Sequence, residues 1–220
     1  MKILLFGGTF DPPHNGHLTL LRSCADAVQP DQVRIIPAGV PPHKGASTAS
    51  ARQRLDMCRA FAALLPGAEV DPRELERPGK SYTVDTLRQL QEELPTAELY
   101  LCLGSDMLRS FFTWHCYREI LERAVLVAHL RDEAEGGPLR EAADRLREQG
   151  ARVIETGGPV LTLSSSEIRA MCTRGEDISP LVPPEVFRYI QQHQLYREGE
   201  RYRVDYGKRL RKLGKKEIEP

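Results

Sequence analysis

The chain has 220 residues, enough for one substantial domain with a hydrophobic core. Its 31 basic and 31 acidic side chains cancel, so the charge gives no indication of a nucleic-acid or membrane-surface partner. The five cysteines form no Cys-x-x-Cys pair, which argues against a disulfide framework and a zinc ribbon and favours the cytoplasm, and no stretch has the ~20 apolar residues of a membrane span.

Short apolar runs alternate with segments of helical periodicity along the chain. Runs of this length suit strands that are covered on both faces, as in a parallel sheet. They lie at residues 2–6, 32–37, 99–103, 124–130 and 152–155. The apolar periodicity between them predicts helices at residues 16–28, 51–65, 83–94, 117–123 and 139–149. This alternation predicts an α/β fold, a doubly wound Rossmann-like parallel sheet flanked by helices.

Two further helices are expected near the end, which gives the fold a small helical C-terminal part. In "SSSEIRAMC", Ser164 has the character of an N-cap, and Glu167 three residues later completes a capping box. "PPEVFRYIQQHQLY" opens on two prolines, which favour a first helical turn. We expect one domain over residues 1–196 and a basic tail over residues 197–220 that is solvated and partly disordered, anion binding by the tail being the alternative.

The stretch "GGTFDPPHNGHL" follows the first predicted strand directly. Ligands of an open parallel sheet bind beyond the carboxyl ends of the strands, usually near the first turn between strand and helix, and this stretch is that turn. Gly7 and Gly8 let backbone N–H groups approach a phosphate closely, and the start of the next helix adds a partial positive charge. His14 and His17 are three positions apart, so both imidazoles can face one ligand.

This stretch also allows interpretations other than an anion site. The G-x-G-x-x-G pattern is absent, and the "PGKS" of residues 78–81 has Glu74 where a Walker loop has its first glycine. A lone histidine there would as readily cap the helix or pack in the core, whereas a pair beside two glycines favours the ligand. A zinc site is a further alternative, for which only Asp11 supplies a nearby carboxylate.

The same stretch resembles the signature of the nucleotidylyltransferase superfamily, with its H-x-G-H motif in "HNGH". "GVPPHK", "SYTVDTL", "GSDML", Trp114 and "LSSSEIR" follow in the order seen in bacterial nicotinate-nucleotide adenylyltransferases, and the similarity runs from about residue 2 to residue 196. It implies transfer of the adenylyl group of ATP to nicotinate mononucleotide, with release of pyrophosphate. Mg²⁺ is expected to accompany ATP, held mainly by phosphate oxygens and water.

The resemblance also implies which residues bind ATP. His14 and His17 would donate hydrogen bonds to the reacting phosphate, and Arg169 would grip the β- and γ-phosphates, a surface arginine without contacts being the alternative. Asp106 would read a ribose or base donor, cap the next helix, or do both. The remaining expected ATP contacts are Gly7, Gly8, Thr9, Phe10, Gly104, Ser164, Ser165 and Ser166, the last replacing the commoner threonine of the family.

The acceptor nucleotide is expected at a second group of residues. Tyr82 and Thr83 stand at a predicted helix start, whose N–H groups can receive a carboxylate, and the resemblance implies that nicotinate binds there. Trp114, the only tryptophan, would stack on the pyridine ring, core packing being the alternative. Lys44 would offset phosphate charge, a solvated lysine being the alternative.

Two other functions stay open at this stage. The first is an adenylyltransferase for nicotinamide mononucleotide or phosphopantetheine, against which "SYTVDTL" and Trp114 speak. The second is a non-catalytic nucleotide sensor, which would not need to keep His14, His17 and Arg169. The sequence leaves open whether the chain forms a homo-oligomer and whether the two histidines are neutral or charged.

Overall fold

Six parallel strands form the central sheet in the described part of the chain. The computed structural model describes residues 1–41, 47–129, 133–158, 161 and 163–197, the side chains of residues 133–136 excepted. The strands are β1 (Lys2–Gly8), β2 (Gln32–Pro37), β3 (Ala68–Val70), β4 (Glu98–Leu103), β5 (Ala124–His129) and β6 (Val153–Thr156), and their order in the sheet is β3-β2-β1-β4-β5-β6. Every pairing between them is parallel. The strand order reverses between β1 and β4, which makes this the switch point of a doubly wound sheet.

Helices cover both faces of the sheet. They are α1 (Asn15–Val28), α2 (Ala51–Ala62), α3 (Arg73–Glu76), α4 (Thr83–Glu93), α5 (Ser105–Ser110), α6 (Tyr117–Arg123), α7 (Glu133–Glu148), α8 (Ser165–Arg174) and α9 (Pro184–Gln192), with a 3-10 turn at Phe111–Thr113. No helix in the described ranges combines the length and the apolar character that a membrane crossing requires.

The alternation of side chains along the strands divides the core into two layers. In β1, Leu4 and Phe6 pack into the layer that also contains α1, α2, α8 and α9. Ile3 and Leu5 point to the other face, into the layer with α4 to α7. Because both faces of the strand are buried, its sequence is a continuous apolar run rather than an alternating one.

The predicted fold class is confirmed, and the differences are local. The edge strand β3 was not predicted, because it has three residues and none of them is buried. The short helices α3 and α5 were also missed, since four and six residues are too few to show a helical period. Helix α2 ends at Ala62, three residues before its predicted end, and α7 begins at Glu133 rather than at residue 139.

The C-terminal helices belong to the first core layer. α9 packs against α2, and Val186, Ile190 and Leu195 are buried there. The described chain ends at residue 197, so the basic tail predicted for residues 197–220 lies, but for its first residue, outside the described residues. The division into domain and tail at residue 196 stays a prediction.

Candidate active site

A cleft of about 840 Å³ opens at the carboxyl ends of β1, β2, β4 and β5. This is the place where open parallel sheets bind their ligands. Within the described chain, every predicted site residue lines it: Gly7, Gly8, Thr9, Phe10, His14, His17, Tyr82, Thr83, Gly104, Asp106, Trp114, Ser164, Ser165, Ser166 and Arg169. Lys44 lies outside the described residues.

His14 and His17 form a stacked pair at the start of α1. His14 is the N-cap, and its Nδ1 accepts the backbone N–H of His17 at 3.3 Å. In return, Nδ1 of His17 accepts the backbone N–H of His14 at 3.2 Å, and the ring centroids are 3.7 Å apart. The pair is a capping box built from imidazoles instead of a hydroxyl and a carboxylate. The same two residues therefore both cap the helix and line the cleft, two roles that are alternatives in the sequence.

The capping box determines which nitrogen of each ring carries the proton. A ring nitrogen that accepts a hydrogen bond holds no proton, so a neutral imidazole in this arrangement is protonated on Nε2. Both rings therefore carry their donor on the edge away from the helix backbone. The same contacts favour neutral rings, because an imidazolium has no acceptor left for the backbone N–H.

A buried carboxylate holds the loop between β1 and α1. Asp11 is 3% exposed, and its Oδ2 accepts the N–H of Thr48 at 2.7 Å. Its Oδ1 accepts the N–H of Ala49 at 3.1 Å and the hydroxyl of Tyr196 at 2.8 Å. Asp11 therefore joins the loop to the segment before α2 and to the C-terminal part. Among the residues described, no group of three or more His, Cys, Asp or Glu side chains is placed to hold a metal ion.

Arg54 of α2 fixes the same loop from below. It is 2% exposed, and its Nη1 donates to the carbonyl oxygens of Thr9 at 2.8 Å and Ala38 at 2.7 Å. These carbonyls follow β1 and β2, so one guanidinium joins the two strand ends that form the floor of the cleft. Burial lowers the pKa of Arg54, and the negative charge of Asp11 opposes this shift. Arg54 is not among the predicted site residues, because an arginine in a helical segment is ordinarily a surface residue.

Helix α8 begins beside this loop, as predicted. Ser164 is its N-cap: the Ser164 N–H donates to Oε2 of Glu167 at 3.0 Å, and the Glu167 N–H donates back to the Ser164 hydroxyl at 3.1 Å. The hydroxyl of Ser165 donates to the carbonyl oxygen of Pro12 at 2.9 Å. The hydroxyls of both serines thus stabilise the loop and the helix start, and their contact with phosphate stays a prediction.

Arg169 projects from α8 into the cleft. Its Nη1 donates to the carbonyl oxygen of Asp11 at 2.8 Å, and its Nη2 donates to the hydroxyl of Ser166 at 3.2 Å. The same Nη1 lies 4.0 Å from Oδ2 of Asp11. The alternative of a surface arginine without contacts is therefore wrong. The guanidinium is held against the histidine loop with 29% of the side chain exposed.

The predicted acceptor side lies across the cleft, at the start of α4. Tyr82 is the N-cap without a side-chain hydrogen bond, and Thr83 is the first helical residue. The first N–H groups of an α-helix have no partner within the helix, so they are available to an anion. The Tyr82 ring packs against His115 with centroids 4.4 Å apart, and His115, which the sequence analysis did not single out, also lines the cleft.

Trp114 combines the two roles that the sequence left open. It stacks on Phe111 with ring centroids 5.0 Å apart and packs against the second core layer. It also lines the cleft and is only half-buried. Packing is therefore established by the structure, while stacking of Trp114 on a pyridine ring stays a prediction.

A buried carboxylate lies behind the start of α4. Glu74 is 8% exposed, and its Oε1 accepts the hydroxyl of Thr86 at 2.6 Å. Burial raises the pKa of Glu74, and the hydrogen bond from Thr86 opposes this shift. The hydroxyl of Ser81, which also interacts with Glu74, accepts the N–H of Gly39 at 2.8 Å. Glu74 thus connects α4 to the loop after β2.

Asp106 lies at the second position of α5, after the N-cap Gly104. The alternative that Asp106 caps the next helix is wrong, because Gly104 is the N-cap of α5. The Asp106 side chain is 97% exposed and its Oδ1 lies 3.9 Å from Arg109. Its carboxylate is therefore accessible at the edge of the cleft.

The model of the cytidylyltransferase-like family matches residues 5–171 of the chain. The chain belongs to the cytidylyltransferase-like family. This confirms the family resemblance of the H-x-G-H motif. The matched region ends at residue 171, so α9 and Tyr196 lie outside the region that the family model matches.

Relatives match nearly the whole chain. A protein of Albidiferax ferrireducens named "Probable nicotinate-nucleotide adenylyltransferase" is 37% identical over 195 residues, 89% of this chain and 98% of that protein. One of the same name from Gemmatimonas aurantiaca is 40% identical over 206 residues, 93% of this chain and 97% of that protein. A solved structure of Plasmodium falciparum nicotinic acid mononucleotide adenylyltransferase complexed with NaAD has a TM-score of 0.72 at 20% identity, covering 89% of this chain and 97% of that one, which shows the shared fold.

Proposed function

We propose that the protein transfers the adenylyl group of ATP to nicotinate mononucleotide in the cytoplasm, with release of pyrophosphate. The proposal rests on one observation: the two sides of a single cleft carry different chemical groups. Stacked imidazoles and the Arg169 guanidinium face it from one side, and an uncapped helix start with nearby aromatic rings faces it from the other. The relatives that match nearly the whole chain support this choice of substrates.

The reaction needs positioning and charge stabilisation more than proton transfer. The attacking phosphate of the mononucleotide is already an anion, so no general base is required. Negative charge grows on the α-phosphate and on the leaving pyrophosphate, and prearranged donors stabilise it. His14 and His17 would donate their Nε2–H groups to the α-phosphate, and Arg169 would bind the leaving phosphates with two parallel N–H bonds.

The acceptor side would select an acid over an amide. The backbone N–H groups at the start of α4 carry the positive end of the helix dipole, which favours a carboxylate. Tyr82 and Thr83 would therefore bind the nicotinate carboxylate, and Trp114 would stack on the pyridine ring. A neutral amide has one acceptor oxygen instead of two, its NH2 group is a donor like the helix N–H groups, and it has no negative charge for the helix dipole to attract. Nicotinamide mononucleotide should therefore be the poorer substrate.

The donors near the histidines suit phosphate oxygens rather than a metal ion. They are imidazole, guanidinium and backbone N–H groups, and the Asp11 carboxylate already accepts hydrogen bonds from Thr48, Ala49 and Tyr196. Mg²⁺ would therefore arrive with ATP and be held by phosphate oxygens and water, as this ion prefers, and it would neutralise part of the triphosphate charge. All five cysteines are free thiols, which suits the reducing cytoplasm.

The test is pyrophosphate release from ATP and Mg²⁺ with nicotinate mononucleotide, nicotinamide mononucleotide or phosphopantetheine as acceptor. We expect the largest kcat/KM with the nicotinate form. A larger value with another acceptor would replace the substrate, and no release with any of them would favour a nucleotide sensor. His17→Ala should lower kcat by roughly 10²-fold, as the loss of a donor to a developing oxyanion does elsewhere. The matched control is His193→Ala, because His193 packs on Tyr189 of α9 away from the cleft.

A further inference from the structure

The C-terminal segment reaches back to the loop that carries the two histidines. The hydroxyl of Tyr196 donates to Oδ1 of Asp11 at 2.8 Å, across 185 positions of the sequence. Tyr196 is 3% exposed, and its carbonyl oxygen accepts the hydroxyl of Thr173 at 3.1 Å. The buried Ile190 and Leu195 anchor the same segment in the core. The position of Tyr196 is therefore fixed by a hydrogen bond and by the packing of its neighbours.

Asp11 also faces Arg169, a cation that lines the cleft. One nitrogen of Arg169 contacts the Asp11 carbonyl oxygen at 2.8 Å and lies 4.0 Å from its carboxylate. The carboxylate accepts hydrogen bonds from the Tyr196 hydroxyl and from two backbone N–H groups. A buried carboxylate that loses a donor seeks another, because an unsatisfied buried charge is costly. In the described part of the chain, Arg169 is the cation that forms an ion pair with Asp11, at 4.0 Å, and Arg54 also interacts with the charge of Asp11. Arg54 already donates to the carbonyl oxygens of Thr9 and Ala38, so we expect the carboxylate to turn to Arg169.

We propose that Tyr196 is a positioning residue for the triphosphate: by donating to Asp11, it leaves the guanidinium of Arg169 available to the phosphates instead of to that carboxylate. The inference rests on the proposed role of Arg169 in binding ATP. Burial raises the pKa of Tyr196, and the charge of Asp11 raises it further, so the hydroxyl keeps its proton and stays a donor. Tyr196 lies beyond the part of the chain that the family model matches.

Tyr196→Phe removes the hydroxyl, which also lies 3.9 Å from Sδ of Met57, and keeps the buried ring. We expect the KM for ATP to rise about tenfold, the order of effect of one hydrogen bond to a charged group, while the KM for nicotinate mononucleotide stays within about twofold. The matched control is Tyr189→Phe, since the Tyr189 hydroxyl also contacts an aspartate, Asp56, at 3.4 Å but lies away from the cleft. An equal change in both KM values, or the same result for both variants, would overturn the inference.

A second measurement separates positioning from a general loss of order. In an Arg169→Ala background, Tyr196→Phe should produce no further change in kcat/KM for ATP, because the residue through which it acts is gone. The same tenfold loss in both backgrounds would overturn the proposal.

The inference can also be tested without turnover. ATP with Mg²⁺ should raise the Tm of Tyr196→Phe less than that of Tyr189→Phe, since stabilisation follows affinity. Equal shifts would contradict the inference. If wild-type protein binds ATP but releases no pyrophosphate, the proposed function fails, and the comparison of these shifts still decides the role of Tyr196.

Discussion

The two nitrogens of His14 have different tasks, and substitutions can separate them. Nδ1 caps α1 by accepting the N–H of His17 at 3.3 Å, so the proton of the neutral ring is on Nε2, the nitrogen that we propose donates to the ligand. In His14→Asn, the amide oxygen takes the place of Nδ1, and asparagine is among the best N-cap residues, but nothing replaces Nε2. In His14→Gln, the amide nitrogen reaches the place of Nε2, but the cap is lost.

The two variants should therefore show opposite defects. His14→Asn is expected to keep its free energy of unfolding within about 0.5 kcal/mol of wild type and to lose roughly 10²- to 10³-fold in kcat, the effect of removing one donor to a developing oxyanion. His14→Gln should lose about 1 kcal/mol of stability, which for a chain of this size lowers Tm by roughly 2–4 °C. Its kcat should fall less than that of His14→Asn.

The assays are urea unfolding for stability and pyrophosphate release at saturating ATP and mononucleotide for kcat. Near-normal kcat in His14→Asn, with a large loss in His14→Gln that exceeds its loss of stability, would refute the assignment of the two nitrogens. It would mean that the ring contributes to catalysis through the helix start alone.

Three further outcomes are expected. Trp114→Ala should raise the KM for the mononucleotide roughly tenfold and leave the KM for ATP unchanged, and equal effects on both would refute ring stacking. Gly39→Ala should destabilise the fold by about 1–3 kcal/mol in thermal melts, because the added Cβ would lie 2.2 Å from the carbonyl oxygen of Glu74; an unchanged Tm would show that the loop can move away. Removal of divalent ions with EDTA should abolish pyrophosphate release, and added Mg²⁺ should restore it; turnover in EDTA would exclude the Mg²⁺–ATP complex as the required substrate.

The sequence predicts the sheet and the position of the cleft for a common physical reason. Strands that are buried on both faces are largely apolar, so β1, β2, β4 and β5 are visible as short runs. The edge strand β6 is visible only through Val153 and Ile154. The carboxyl ends of parallel strands meet at one edge, so polar residues that follow different strands come together there. β3 escapes prediction, because an edge strand of three half-buried or exposed residues has no such run.

The residues that hold the loops of the site in place are harder to predict from the sequence than the residues that line the cleft. Ser164 and Glu167 are three positions apart and form a familiar pattern, and the structure contains the capping box that this pattern predicts. Asp11 and Tyr196 are 185 positions apart, and no local pattern links them. Arg54 differs from a surface arginine through its burial against the carbonyl oxygens of Thr9, Ala38 and Gly39, which only the fold brings together.

The H-x-G-H spacing has a physical reason in the helix start itself. The reciprocal hydrogen bonds require a residue at the N-cap and another three positions later, which are His14 and His17. Gly16 stands between them, and a Cβ there would lie 3.0 Å from Nδ1 of His14 and 3.0 Å from the carbonyl oxygen of Leu161. A larger residue would therefore crowd the nitrogen that caps the helix. Because the cap occupies Nδ1 of both rings, the N–H group that can donate a hydrogen bond to a phosphate oxygen must be on Nε2. The hydrogen bonds that begin the helix therefore also determine which edge of each ring carries the N–H donor.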